Sequence, residues 1–143
     1  MPRSYILIAE DDADDRFLLE TAFRECGFND KLAFVENGIE LIRYLDEEKN
    51  RNGVDRKFPA FIMLDLNMPK KDGREVLKEL KENETYRVIP VVIFTTTKNE
   101  NEIRRCYELG ANSYVVKPVN FEHLVKVLGQ IREYWFGISS AVE

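Results

Sequence analysis

The sequence predicts an α/β fold in which one five-stranded parallel sheet is covered by helices on both faces. Three observations predict it. Five short apolar runs alternate with five stretches whose apolar residues recur at helical spacing. The runs are apolar on both faces, as strands buried between crossover helices are. Each run also ends in polar or turn-forming residues.

The first run, Tyr5 to Ala9, is too short for a helix and ends in Glu10-Asp11-Asp12. Phe17, Leu18, Leu19, Ala22 and Phe23 then recur at helical spacing, and Gly27 closes that helix. Leu32 to Val35 reads as the second strand, ended by Asn37-Gly38, and Ile39, Leu41, Ile42 and Leu45 carry the second helix. Residues 46–58 are polar, charged and interrupted by Gly53, so their later part reads as an exposed loop. Phe61 to Leu64 is the third strand and stops at Asp65. After the turn from Asn67 to Gly73, a helix follows with Val76, Leu77 and Leu80. Ile89 to Phe94 forms the fourth strand, ended by Thr95, and a helix from about Asn101 to Leu109 stops at Gly110. Ser113 to Val116 is the fifth strand, leading into Lys117-Pro118. The last helix starts at Asn120, a good cap, and runs to about Trp135.

Composition narrows the function. A chain of 143 residues suits one domain, here 1–136 with a tail over 137–143. The net charge of −5, with acids and bases interspersed, offers no basic footprint for nucleic acid. No apolar run is long enough to span a bilayer, and the start Met1-Pro2-Arg3-Ser4 is unlike a secretory leader. The expected compartment is the cytoplasm. Cys26 and Cys106 read as small core residues rather than a disulfide, and His123, the single histidine, as a surface residue.

The chemistry is expected where the strands end. Right-handed crossovers put the carboxyl ends of all parallel strands on one edge, where ligands of open α/β sheets bind. Glu10, Asp11 and Asp12, then Asp65, Thr95 and Lys117 all fall there. Carboxylates brought this close repel one another, and a cation between them relieves the repulsion. Hard oxygen donors favour Mg²⁺, which takes one or two carboxylates together with phosphate oxygens. One carboxylate beside such an ion can attack phosphorus, with Lys117 and the Thr95 hydroxyl steadying the transferred group.

These residues resemble the receiver domains of bacterial response regulators. The set is Glu10-Asp11, Leu64-Asp65-Leu66-Asn67-Met68-Pro69 with Asp72-Gly73, then Thr95, Tyr114 and Lys117-Pro118, and the resemblance runs from Tyr5 to about Phe136. It implies a flavodoxin-like strand order, 2-1-3-4-5. It implies that Asp65 is the phosphoacceptor, that Asp11 contacts the metal directly and Glu10 through water, and that the backbone carbonyl of Asn67 joins Asp65 as a ligand. Thr95 is implied as the switch hydroxyl, Tyr114 as its aromatic partner and Lys117 as the ion-pairing lysine, with a cis bond to Pro118. The residues from Pro69 to Leu77, the charged loop and the Tyr134-Trp135 ending resemble stand-alone regulators that partner bacterial phytochromes.

The function implied is phosphoryl transfer from a sensor histidine kinase onto Asp65, switching a surface for a downstream protein. Such a phosphoacceptor catalyses only its own modification. Tyr134 and Trp135 are expected at a homodimer or partner interface, or folded back on the domain. Two rivals differ in kind. A phosphatase of haloacid dehalogenase type would carry its nucleophile after the first strand with a second acid two residues on, whereas here the candidate Asp65 ends the third strand and Asn67 occupies that second place. An interaction module that works without phosphorylation would keep the fold alone.

Overall fold

The computed structural model describes residues 5–51 and 57–138. Met1 to Ser4, the part of the charged loop that holds Gly53, and residues 139–143 of the expected tail lie outside the described residues.

The elements alternate strictly: β1 (Ile6–Ala9), α1 (Ala13–Glu25), β2 (Leu32–Val35), α2 (Gly38–Lys49), β3 (Phe61–Leu64), α3 (Gly73–Glu82), β4 (Val91–Thr95), α4 (Glu100–Leu109), β5 (Ser113–Val116) and α5 (Phe121–Arg132). All strand pairs are parallel, and the order across the sheet is β2-β1-β3-β4-β5. Each helix begins on a short polar side chain that accepts a backbone N–H: Asp12, Asn37, Asp72, Asn99 and Asn120. These caps fix where each helix starts, and so fix the loops that carry the polar residues between strand and helix.

Alternation along the strands divides the core in two. Leu7, Ala9, Ile62, Leu64, Val91 and Ile93 face α2, α3 and α4, meeting Leu41, Leu45, Val76, Leu77, Leu80 and Cys106. Ile6, Ile8, Phe61, Met63, Val92 and Phe94 face α1 and α5, meeting Leu19, Ala22, Phe23, Leu124 and Leu128. Both cysteines are free, and His123 is exposed.

Beyond α5 the chain tightens into one π-helical turn, Glu133–Ile138. That turn brings the Trp135 ring to 5.8 Å and the Phe136 ring to 5.9 Å from Phe61, between centroids. Trp135 therefore folds back on the domain, while Tyr134 remains exposed. The Lys117–Pro118 peptide departs from the resemblance: no peptide bond among the described residues is cis. The two isomers before proline differ by only about 0.5–1 kcal/mol, so the packing around the loop rather than the bond itself decides between them.

Candidate functional site

Register brings the site together. Leu64 at the end of β3 pairs with Ala9 of β1 on one side and Ile93 of β4 on the other, so Glu10, Asp65 and Thr95 leave the sheet side by side. Backbone bonds continue the ladder past the strands, from Glu10 N–H to the Val35 carbonyl, Asp65 N–H to Ala9 and Lys117 N–H to Thr95.

One carboxylate oxygen from each of Glu10, Asp11 and Asp65 lies within 4.8 Å of the others. Glu10 and Asp65 are buried and Asp11 is exposed, so the cluster opens to solvent on the Asp11 side. Lys117 reaches in from the loop after β5. Its Nζ donates to Glu10 Oε1 at 2.6 Å and to Asp65 Oδ2 at 2.8 Å. Burial pushes the Glu10 carboxyl above its ordinary range, against the opposing pull of Lys117. Burial alone would lower the Lys117 ammonium, but its bonds to Asp65 and Glu10 outweigh that and raise it.

The loop after β3 completes the floor. Asn67 N–H donates to Asp65 Oδ1 at 3.1 Å, which fixes the carboxylate's rotation. The Asn67 amide points across to the Thr95 hydroxyl at 3.4 Å and the Thr97 hydroxyl at 3.5 Å. Gly73 lets this loop close: a Cβ there would stand 2.4 Å from the Asp65 carbonyl oxygen and 2.7 Å from Leu66 Cα. Thr95 is fully buried at the end of β4. Tyr114, half-buried, donates its hydroxyl to the Thr97 carbonyl at 2.8 Å, two residues beyond Thr95.

Three carboxylates against one ammonium leave the cluster two charges negative. A set of hard oxygen donors with that surplus fits a divalent cation, and Glu10, Asp11 and Asp65 are the residues that fit it. The Asp12 side chain caps α1 by accepting Asp15 N–H at 3.0 Å, while its backbone N–H donates to Glu10 Oε2 at 3.2 Å.

Sequence reasoning missed Arg16 and Arg74. Arg16 Nη1 donates to the carbonyls of both Glu10 and Asp11. Arg74, just after the turn, binds both oxygens of Glu102 on α4 at 2.9 and 2.7 Å. The signal for Arg16 was present, a cation in the first turn of a helix, where acids are favoured. Arg74 had no local signal, because its partner lies 28 residues away.

Comparison with known proteins agrees with this geometry. Residues 6–129 match the family model described as the response regulator receiver domain. The chain is 38% identical over 132 residues to the Methanothrix harundinacea protein described as probable methanogenesis regulatory protein FilR2, covering 92% of this chain and 83% of that one. It is 36% identical over 134 residues to response regulator Rcp1 of Synechocystis sp., covering 94% and 90%. A crystal structure of the Mn²⁺-bound form of Rcp1 superposes with a TM-score of 0.85 at 33% identity, over 99% of this chain and 100% of that one. The phosphorylated cyanobacterial phytochrome response regulator RcpA superposes with a TM-score of 0.87, also at 33% identity, over 99% and 100%. The match removes the dehalogenase alternative, and no helix among the described residues is long and apolar enough to cross a membrane. With the family model spanning all five strands and such relatives matching more than nine-tenths of its length, this protein belongs to the response regulator receiver domains of two-component systems.

Proposed function

We propose that Asp65 accepts a phosphoryl group from the phosphohistidine of a sensor histidine kinase in the cytoplasm, with Mg²⁺ as the working cation. The observation that carries this reading is the convergence of Glu10, Asp11 and Asp65 within 4.8 Å, with Lys117 bonded to the second of the Asp65 oxygens. An Asp65 oxygen attacks phosphorus in line. The O–P bond forms as the P–N bond breaks, and the electron pair returns to the imidazole nitrogen. Hydrolysis later returns the carboxylate and inorganic phosphate, so the chain catalyses only its own modification.

Glu10, Asp11, Asp65 and the Asn67 carbonyl are the groups that would hold the cation, which when bound neutralises charge on the phosphoryl oxygens. The chain's own residues do the rest. Lys117, already beside Asp65, supplies a fixed positive charge, and the Asn67 N–H keeps the carboxylate oriented. The Thr95 hydroxyl turns to donate to the new phosphoryl oxygens. Tyr114 follows it, and the surface formed by α4, β5 and α5 changes its affinity for a downstream protein by population shift. The solved structures named as phytochrome or bacteriophytochrome response regulators support a bacterial phytochrome as the source of the phosphoryl group.

The test is incubation with a labelled small-molecule phosphodonor and Mg²⁺. Wild type should take up label that hydroxylamine releases, as an acyl phosphate does, and Asp65→Asn should take up none. Label that survives hydroxylamine, or that persists in Asp65→Asn, refutes the assignment. Equal affinity for a partner with and without beryllofluoride would instead favour the phosphorylation-independent module.

We also read the last helix, with exposed Tyr134 beyond it, as the seat of a homodimer. Sedimentation should show a dimer at high concentration, and a monomer with and without phosphoryl analogue would reject it.

A further inference from the structure

We propose that Arg16 is a positioning residue for the cation site, holding the backbone of Glu10 and Asp11 so that their carboxylates converge. The inference rests on the metal reading given under Proposed function. Arg16 is the fourth residue of α1, where the helix end carries partial positive charge and a cation is out of place. Asp14 and Asp15 are the residues that suit this turn. Yet the Arg16 side chain is only 22% exposed, so it is drawn inward rather than released to solvent.

Its bonds explain why. Nη1 donates to the Glu10 carbonyl at 3.0 Å and to the Asp11 carbonyl at 3.0 Å. These carbonyls belong to the two residues whose carboxylates meet Asp65. Nη2 lies 3.5 Å from Glu36 Oε1, just past the end of β2. One rigid planar group therefore ties the exit of β1 to the exit of β2 and fixes both acidic residues from their backbone side.

Two effects of Arg16 on cation binding oppose each other. Its charge repels a divalent ion, so removing it should tighten binding. Its hydrogen bonds set the ligands in place beforehand, so removing it should weaken binding. The geometry favours the second. Nη1 meets carbonyls rather than the converging carboxylates, and Glu36 offsets the charge. Groups that orient a metal's ligands are typically worth about 10–100-fold in affinity.

The experiment titrates the metal-free full-length chain with Mn²⁺ and reads unbound ion by electron paramagnetic resonance. Thermal melts in chelator check that each variant folds. Asp11→Asn serves as the control that removes a ligand without touching Arg16. Arg16→Met is expected to weaken Mn²⁺ binding roughly tenfold, at the low end of that range, and Arg16→Lys to fall between it and wild type. Binding by Arg16→Met as tight as wild type, or tighter, overturns the inference while leaving the metal reading intact. If Arg16→Met does not fold, Arg16→Lys decides: weaker binding than wild type supports positioning, and equal binding refutes it. No Mn²⁺ uptake by wild type, or full uptake by Asp11→Asn, would defeat the metal reading itself and this inference with it.

Discussion

At the scale of single residues, the site is built under electrostatic strain. Three carboxylates converge with one ammonium, which bonds the two that are buried, Glu10 and Asp65. Such an arrangement fits a divalent cation, and functional sites of this kind are commonly kept at a cost in stability. Asp65→Asn removes one negative charge while keeping the side chain's size. In the presence of a chelator it should therefore stabilise the fold by about 1 kcal/mol, while the proposed function expects it to take up no phosphoryl group. Chemical denaturation of the two metal-free proteins checks this, and a less stable Asp65→Asn would show that the Lys117 bond outweighs the repulsion. Lys117 opposes this gain, because it bonds both Glu10 and Asp65 and offsets part of their mutual repulsion.

At the scale of elements, ties between helices and strand ends carry the site's geometry. Arg74 joins the start of α3 to Glu102 on α4, linking the loop after Asp65 to the helix after Thr95. The π-helical turn after α5 performs a different task. It lays Trp135 on Phe61, closing the lower part of the core on the α1 and α5 side. Trp135→Ala should cost about 2 kcal/mol, below the usual range for a fully buried tryptophan because the ring is half-buried. Tyr134→Ala should change stability by no more than about 0.5 kcal/mol, as exposed positions do. Denaturant melts followed by circular dichroism compare the two, and equal losses would contradict the packing described.

At the scale of the whole molecule, stability depends on pH through groups far from the site. Tyr5 sits at the foot of β1 and donates its hydroxyl to the Lys57 carbonyl at 2.9 Å. Burial raises its pKa well above the ordinary tyrosine range, with the Tyr44 hydroxyl adding to the effect. Above about pH 10 the unfolded chain loses this proton while the folded chain keeps it. The folded state then binds more protons than the unfolded one, so stability falls as pH rises. Tyr5→Phe should flatten that decline above about pH 10, and cost about 1 kcal/mol at neutral pH through the lost hydrogen bond. Unfolding midpoints between neutral and alkaline pH would show it, and parallel slopes for both proteins would exclude Tyr5 as the source.

Much of this protein was legible in its sequence because the controlling signals are local. Strand runs such as Leu32–Val35, Phe61–Leu64 and Ser113–Val116 could be bounded by the residues that flank them. Parallel connection then required Glu10, Asp65, Thr95 and Lys117 to share one edge, whatever the details of packing. Caps such as Asn120 announced themselves by chemistry. Contacts between distant side chains were decided only by the tertiary structure. Whether Trp135 faced solvent or Phe61, whether Arg16 turned to the Glu10 and Asp11 carbonyls, and whether Arg74 found Glu102 each depended on the register and rotamers of elements brought together from separate parts of the chain. Periodicity records which face of an element is apolar. It does not record which partner that face or its flanking charges will meet, because that is settled when the layers pack.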